Sequence, residues 1–241
     1  MALFIRDPNH GDVPVEVGAE PRRGARWLDR LKGVVVRNQE PASRSFRYLA
    51  RLIDRELGGR TTGLTLAMLG VDRDDSPADA LLMLAYCLRS ELDSRVLVID
   101  ARLKDIGMGL TGQLGLESAP GYAQLMRDGI GNQAALVQDT RVTGVEVLPA
   151  GHPVAGAAAD LDRSTLRHLL EWARAEYDYV LLQVGSPLND TRNAVTAAEA
   201  DAVFLLADEH QTFMKRLDDC RHLLMANGAQ AVKIIVAGGR I

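Results

Sequence analysis

Arg95-Val96-Leu97-Val98-Ile99-Asp100-Ala101 is the stretch that decides the fold class of this chain. Four consecutive apolar residues, three of them β-branched, are typical of a strand buried on both faces, which occurs mainly in parallel sheets covered by helices. Ligands of such sheets lie beyond the carboxyl ends of the strands. The stretch therefore predicts an α/β fold and marks Asp100, which ends the strand, as a candidate site residue.

The same alternation of apolar strands and amphipathic helices extends in both directions from this strand. Further strands are predicted at 64–69, 145–149, 179–184, 202–207 and 232–237. Helices are predicted over 43–57, 78–92, 121–127, 164–176, 191–198 and 213–227. This order predicts a doubly wound, mostly parallel sheet with helices on both faces, a three-layer Rossmann-like arrangement.

Composition sets the domain organisation and excludes several classes of protein. The 241 residues carry a net charge of −4, with 47% hydrophobic and 25% charged residues, which excludes wholesale disorder and collagen. Residues 1–40, rich in proline, glycine and charge, predict a flexible N-terminal arm, and residues 41–241 are predicted to form the α/β domain.

The longest apolar run, 80–88, is too short to span a bilayer. Two distant cysteines and scattered histidines predict no metal site and a cytoplasmic protein.

Several motifs in this order resemble the bacterial tyrosine kinases of capsule and exopolysaccharide biosynthesis. These are P-loop proteins related to the Walker-type ATPases of the partitioning class, and the resemblance runs from about residue 46 to residue 238. The motifs that carry it are Phe46-Arg47-Tyr48-Leu49, Val96-Leu97-Val98-Ile99-Asp100-Ala101, Ala119-Pro120-Gly121-Tyr122, Leu148-Pro149-Ala150-Gly151 and Tyr177-Asp178-Tyr179-Val180-Leu181-Leu182. The resemblance implies a P-loop-like fold in which a nucleotide site lies at the carboxyl ends of the strands.

The positions at which the family carries its catalytic residues are occupied differently here. The resemblance places Pro77 at the phosphate-binding lysine and Ala78 at the magnesium-binding hydroxyl. Of the Asp-x-Asp pair of the second Walker strand, Asp100 remains and Arg102 replaces the second acid. Gln183 replaces the Walker-B aspartate, and an amide is a poorer Mg²⁺ ligand than a carboxylate. These degenerate positions predict a protein without catalytic residues.

The start of the second predicted helix also disfavours a bound phosphate. Ser76, Pro77 and Asp79 are predicted to cap this helix. Asp74 and Asp75, with Asp79, add negative charge where a helix amino terminus otherwise attracts phosphate. We expect no cofactor, with ATP and Mg²⁺ only under an active-enzyme alternative.

Two other features of the sequence are candidate sites. Gly107-Met108-Gly109-Leu110-Thr111-Gly112 spells a dinucleotide motif, but it begins too far beyond the strand, so a glycine-rich loop is preferred. Asp100 is interpreted as a structural residue that either acts as a cap or forms an ion pair with Arg102.

The first predicted helix is the candidate partner-binding element. Its apolar stripe includes Phe46 and Leu49, and a second stripe presents arginines at helical spacing. Residues 21–55 hold ten basic and three acidic residues, which favours an anionic partner surface. The predicted partner-binding residues are Arg44, Phe46, Arg47, Leu49, Arg51 and Arg55.

Together these observations predict a non-catalytic, pseudokinase-like protein of exopolysaccharide synthesis and export, peripheral to the inner membrane. Its expected partner is a transmembrane polysaccharide co-polymerase or another export subunit; a homo-oligomer is possible, and no nucleic acid is expected. Two alternatives stay open: an active ATP-dependent autokinase or ATPase with an atypical site, and a partitioning-type positioning protein.

Overall fold

The strands and helices alternate along most of the chain. The computed structural model describes residues 2–7, 11–16, 41–72, 77–103, 109–129, 131–152, 162–208 and 212–237. Its strands are β1 (Ala2–Asp7), β2 (Gly11–Glu16), β3 (Leu64–Gly70), β4 (Val96–Asp100), β5 (Gln138–Asp139), β6 (Val145–Leu148), β7 (Tyr179–Val184), β8 (Ala202–Asp208) and β9 (Val232–Ala237). Its helices are α1 (Pro41–Leu57), α2 (Ala78–Leu92), α3 (Leu110–Leu114), α4 (Tyr122–Asp128), α5 (Gln133–Leu136), α6 (Arg163–Glu176), α7 (Thr191–Ala198) and α8 (Met214–Ala226).

All of these strands belong to one sheet, in the order β2-β1-β9-β8-β3-β7-β4-β6-β5. The six strands from β9 to β6 run parallel. Antiparallel strands extend both sides of this block, β5 beside β6 and β1 beside β9. The predicted α/β class with a mostly parallel sheet is confirmed.

Burial on both faces explains why the central strands are nearly continuous apolar runs. In β3, Leu66 and Met68 pack with α1 and α2 on one face, whereas Ala67 and Leu69 pack with α6, α7 and α8 on the other. Since successive strand residues point to opposite faces, a strand between two helical layers must be apolar at every position. β3, β7 and β4 are adjacent strands inside this parallel block.

The amino-terminal segment contains two strands that the sequence analysis did not predict. β1 and β2 pair as an antiparallel hairpin, and β1 also pairs with β9, for example Phe4 with Val236. The prolines and glycines that favoured an arm also permit a short edge hairpin. Residues 17–40 lie outside the described residues, and the division of the chain at residue 40 stays a prediction.

Within the described residues, no helix has the length and apolar character required to cross a membrane.

Candidate functional site

The candidate site lies at the carboxyl edge of the three central strands. β3, β7 and β4 are adjacent, and Gln183 of β7 lies beside Asp100 in register. The chain leaves β3 at residue 71, β4 at residue 101 and β7 at residue 185, all at this edge. Asp100 and Gln183 therefore lie together where β4 and β7 end, at the ends of the strands where ligands of parallel sheets lie.

The Asp100 carboxylate is fully buried and is surrounded by hydrogen-bond donors. Its Oδ2 accepts from the Thr111 backbone N–H at 3.0 Å and from the Thr111 hydroxyl at 2.7 Å. Its Oδ1 accepts from the Arg102 backbone N–H at 3.4 Å, and Arg102 Nε lies 3.3 Å from the same oxygen. The expected pairing with Arg102 is present, and Asp100 acts as an acceptor within the fold.

The Gln183 side chain bonds to α3, the short helix that contains Thr111. Its Oε1 accepts from the Leu110 backbone N–H at 2.9 Å, and the side chain is fully buried. Thr111 Oγ1 in turn accepts from the Ala150 backbone N–H at 2.8 Å. The first turn of α3 is thus attached to the ends of β4, β7 and β6. We call Asp100, Arg102, Leu110, Thr111 and Gln183 the α3 anchor.

Gly109, which precedes α3, shows how closely the anchor is packed. A Cβ at this position would lie 1.6 Å from the Arg102 Nη2 atom. A larger residue here would therefore require the end of the Arg102 side chain to move away from its position beside Asp100. The part of the glycine motif at 109–112 that the structure describes begins a helix; residues 107 and 108 lie outside the described residues.

Sequence reasoning placed Asp100, Arg102 and Gln183 correctly at one edge but missed Thr111 as their partner. Thr111 could have been identified from its position, because it is a hydroxyl residue at the start of a short helix, two positions after Gly109. The first backbone N–H groups of a helix need acceptors, so such a start must contact other parts of the fold.

A second network connects the end of β3 to the start of α8. Asp72 Oδ1 forms an ion pair with Arg216, and Asp72 Oδ2 accepts from the Thr212 hydroxyl at 3.0 Å. The Thr212 hydroxyl also accepts from the Asp208 backbone N–H at 2.9 Å. The segment that follows β3 is therefore attached to the segment that follows β8. The sequence analysis did not identify these residues, since Asp72 is far from the other three along the chain.

The amino end of α2 lies where the resemblance places the phosphate groups. Pro77 is the N-cap and makes no side-chain capping bond, Ala78 is buried, and Asp79 adds an acid to the first turn. Pro77, one of the predicted capping residues, directly precedes the first residue of the helix. The predicted cap Ser76 and the acids Asp74 and Asp75 lie outside the described residues.

The arginine helix α1 packs on the body of the chain. Phe46 and Leu49 are 3% and 1% exposed and contact the core beneath α2. Arg51 Nη2 lies 2.6 Å and Arg47 Nε 3.3 Å from the carboxylate of Glu91 on α2. Tyr48 is exposed between the arginines. The helix therefore presents Tyr48, Arg44, Arg51 and Arg55 to solvent, whereas Arg47 is half-buried beside Glu91.

Arg44 and Arg55 complete the arginine stripe of α1 without contacting Glu91. Arg44 is exposed, and the Arg55 side chain, 73% exposed, lies 3.7 Å from its neighbour Glu56. Partner binding by α1 stays a prediction.

Metal ligands and reactive side chains are not concentrated elsewhere among the described residues. No group of three histidine, cysteine or acidic side chains is placed to hold a metal ion in the described part of the chain. Cys87 is buried in the core, which raises the pKa of its thiol to about 12, and burial raises the pKa of Cys220 to about 11. Both thiols stay protonated at neutral pH and are unsuited to nucleophilic chemistry.

Known structures share this fold. No protein-family model matches the chain, and no curated protein sequence matches it. The BceF tyrosine kinase domain matches with a TM-score of 0.71 at 19% identity, over 88% of this chain and 88% of its own. The kinase domain of the Escherichia coli tyrosine kinase ETK matches with a TM-score of 0.70 at 19% identity, over 86% and 80%. At this identity the likeness shows the fold, which is the fold that the sequence resemblance implied.

The likeness extends to cell-division proteins and corrects one expectation. The septum site-determining protein MinD from Pyrococcus horikoshii, complexed with Mg-ADP, matches with a TM-score of 0.53 at 16% identity, over 70% of this chain and 68% of its own. A MinC:MinD complex from Aquifex aeolicus matches with a TM-score of 0.55 at 19% identity, over 72% and 68%. The expectation of no cofactor is wrong on this comparison, because the fold occurs with a bound magnesium nucleotide.

The residues that the sequence resemblance matched to the family's nucleotide site are Pro77, Ala78, Asp100 and Gln183, and the loss of that site stays a prediction. In the structure the Asp100 and Gln183 oxygens accept hydrogen bonds from α3.

Proposed function

We propose that this chain is a pseudokinase-like, non-catalytic regulatory or assembly protein of bacterial exopolysaccharide synthesis and export. It binds the cytosolic face of a membrane polysaccharide co-polymerase complex, so that it is cytoplasmic and peripheral to the inner membrane. The fold likeness to the BceF and ETK kinase domains supports this class, and fold alone does not prove a function.

The observation that carries the proposal is the α3 anchor. Phosphoryl transfer depends on positioned metal ions and on groups that stabilise charge on the transferring phosphate. Here the Asp100 carboxylate is fully buried and bonded to Thr111 and Arg102, and the Gln183 amide on the neighbouring strand is bonded to Leu110. The proposal is that the chain does not transfer phosphate. A magnesium nucleotide of the kind that MinD holds would be a bound ligand of this chain and not a substrate.

Two other functions have an observation in their favour. An ATP-dependent autokinase or ATPase with an atypical site is favoured by the Mg-ADP complex of MinD. A partitioning-type positioning protein is favoured by the MinC:MinD complex, in which a protein of this fold binds a protein partner. Both would consume nucleotide, whereas the proposed regulatory protein does not.

The deciding experiment measures phosphate transfer and membrane recruitment on the same purified chain. With Mg-ATP we expect neither phosphotyrosine nor phosphate release above that of an Asp100→Asn variant, and we expect co-purification with membranes that contain the co-polymerase. Phosphotyrosine that disappears in Asp100→Asn would establish the autokinase. Phosphate release without phosphotyrosine, together with loss of membrane recruitment, would favour the positioning protein.

A further inference from the structure

Helix α8 and its N-cap residue Phe213 carry three of the four strongly exposed large apolar side chains in the described part of the chain. These are Phe213 (74% exposed), Met214 (61%) and Met225 (48%), and Tyr48 on α1 is the fourth. The opposite side of α8 is well packed, since Leu217, Cys220 and Leu224 are buried against the sheet. Phe213 and Met214 form an exposed apolar pair at the amino end of α8, and Met225 is exposed near its carboxyl end.

The exposed side of α8 has a symmetric sequence. Met214, Asp218, Arg221 and Met225 lie at i, i+4, i+7 and i+11, so they form one stripe along the helix, and all four are exposed. The stripe has a methionine at each end and one acid and one base at equal distances from its midpoint, which falls between residues 219 and 220.

We propose that this stripe is a self-association surface, on which a second copy of the chain packs with its own α8 antiparallel. In that arrangement Met214 lies against Met225 of the partner subunit, and Asp218 lies against Arg221 of the partner subunit. A two-fold axis through the midpoint repeats each contact once, as an isologous interface requires. The inference rests on α8 alone and is independent of the proposed function.

Charge complementarity selects a second copy as the occupant. Asp218 and Arg221 make no ion pair or side-chain hydrogen bond with the described residues, so both charges are available to a partner. Asp218 would repel a uniformly acidic partner, and Arg221 would repel a uniformly basic one. Only a surface with the opposite order of charges satisfies both, and an antiparallel copy of α8 has that order.

Charge reversal tests the pairing. Asp218→Arg alone places two arginines together at each of the two contacts, and Arg221→Asp alone places two aspartates together. We expect each single variant to raise the dimer dissociation constant about tenfold or more, because both copies of the contact are lost. The double variant and an equimolar mixture of the two single variants restore opposite charges at every contact, so both should dimerise like the unaltered chain.

Sedimentation equilibrium over a range of concentrations measures these constants, and circular dichroism checks that each variant is folded. Asp219→Arg and Lys215→Asp are matched controls, since both residues are exposed on α8 but lie off the stripe; they should leave dimerisation unchanged. A chain that is monomeric at every accessible concentration, or single variants that dimerise as well as the controls, would overturn the proposal.

Cysteine cross-linking tests the antiparallel register separately. Residues 214 and 225 are about 16 Å apart along the helix, so identical positions of two antiparallel copies are far apart. Met214→Cys mixed with Met225→Cys should form a disulfide-linked heterodimer under mild oxidation, and neither variant alone should. Efficient cross-linking of Met214→Cys to itself would refute the antiparallel arrangement.

Discussion

Asp100 is the residue at which sequence resemblance and structural role differ most. In the family the position serves metal and catalysis, yet here the carboxylate is fully buried and accepts hydrogen bonds from two backbone N–H groups and one hydroxyl, with Arg102 beside it. Burial of a carboxylate is costly unless such donors surround it. An aspartate at this position is therefore accounted for by the attachment of α3 alone.

The Thr111 hydroxyl is predicted to contribute measurably to stability. It donates to Asp100 and accepts from the Ala150 backbone N–H, both in a buried environment. Thr111→Val keeps the shape but leaves both partners short of a bond, so the free energy of unfolding should fall by about 1–3 kcal/mol. Thr111→Ser retains the hydroxyl and should lose less. Urea denaturation measures both variants, and equal stability of the valine and serine variants would refute the role assigned to the hydroxyl.

Restoring two family residues should not restore catalysis. Pro77→Lys with Gln183→Asp supplies a lysine and a carboxylate, but Ala78 still lacks the hydroxyl, and the shorter aspartate side chain gives up the bond to Leu110. Because phosphotransfer needs several groups positioned together, we expect no phosphotyrosine from this double variant with Mg-ATP. Pro77→Lys alone is the matched control, and robust phosphotyrosine in the double variant would show that the site is nearly intact.

At the scale of the elements, long apolar patterns were predictable and short connections were not. The bounds of α2, α7, β7 and β9 agree with the sequence analysis residue by residue, because each pattern is bounded by turn or capping residues. The five-residue α3 was missed, since its bonds to Asp100 and Gln183 join residues 11 and 73 positions apart. The hairpin of β1 and β2 was missed because its pairing with β9 is equally non-local.

The structure changes which arginines of α1 best test partner binding. Arg47 and Arg51 pair with Glu91, so reversing them places like charges together and mixes a structural effect with a binding effect. Arg44 and Arg55 do not contact Glu91. Arg44→Glu with Arg55→Glu should reduce co-purification with co-polymerase membranes several-fold and change stability by about 0.5 kcal/mol or less, as is usual for exposed charges.

The matched control for this experiment is Arg141→Glu, which reverses one exposed arginine outside α1. Membrane co-purification is measured beside the melting temperature for each variant. If the Arg44 and Arg55 variant binds membranes as well as Arg141→Glu does, the α1 stripe is not the partner surface.

At the scale of the whole molecule, the surfaces of interest lie on different sides of one sheet. α1 packs on the face that also carries α2, and α8 packs on the opposite face with α6 and α7. The α3 anchor lies at the carboxyl edge between them. A partner on α1 and a second copy on α8 would therefore not compete for the same face, and in such a dimer the two α1 stripes would face away from each other.

Ion pairs between helices of the α8 face predict how global stability depends on pH. Glu199, at the end of α7, accepts from Arg163 at 2.6 Å and from Arg167 at 2.8 Å, which joins α6 to α7. Burial of the Glu199 carboxyl raises its pKa, but the hydrogen bonds from Arg167 and Arg163 outweigh this and hold the pKa below the ordinary value of 4.5. A carboxyl whose pKa is lower in the folded state stabilises that state above the ordinary value, and the contribution is lost as the pH falls through the folded value.

Glu199→Gln should therefore destabilise the chain at pH 7 and become indistinguishable from the unaltered chain in acid. We expect a loss of at most about 1 kcal/mol at neutral pH, since the arginines are largely exposed. The difference in unfolding free energy should narrow as the pH falls below 4.5. Urea denaturation from neutral to acidic pH measures it, with Glu117→Gln, an exposed acid without an ion pair to the described residues, as the control. A difference that stays constant across this range, or grows in acid, would show that the Glu199 carboxylate does not join α6 to α7 through its charge.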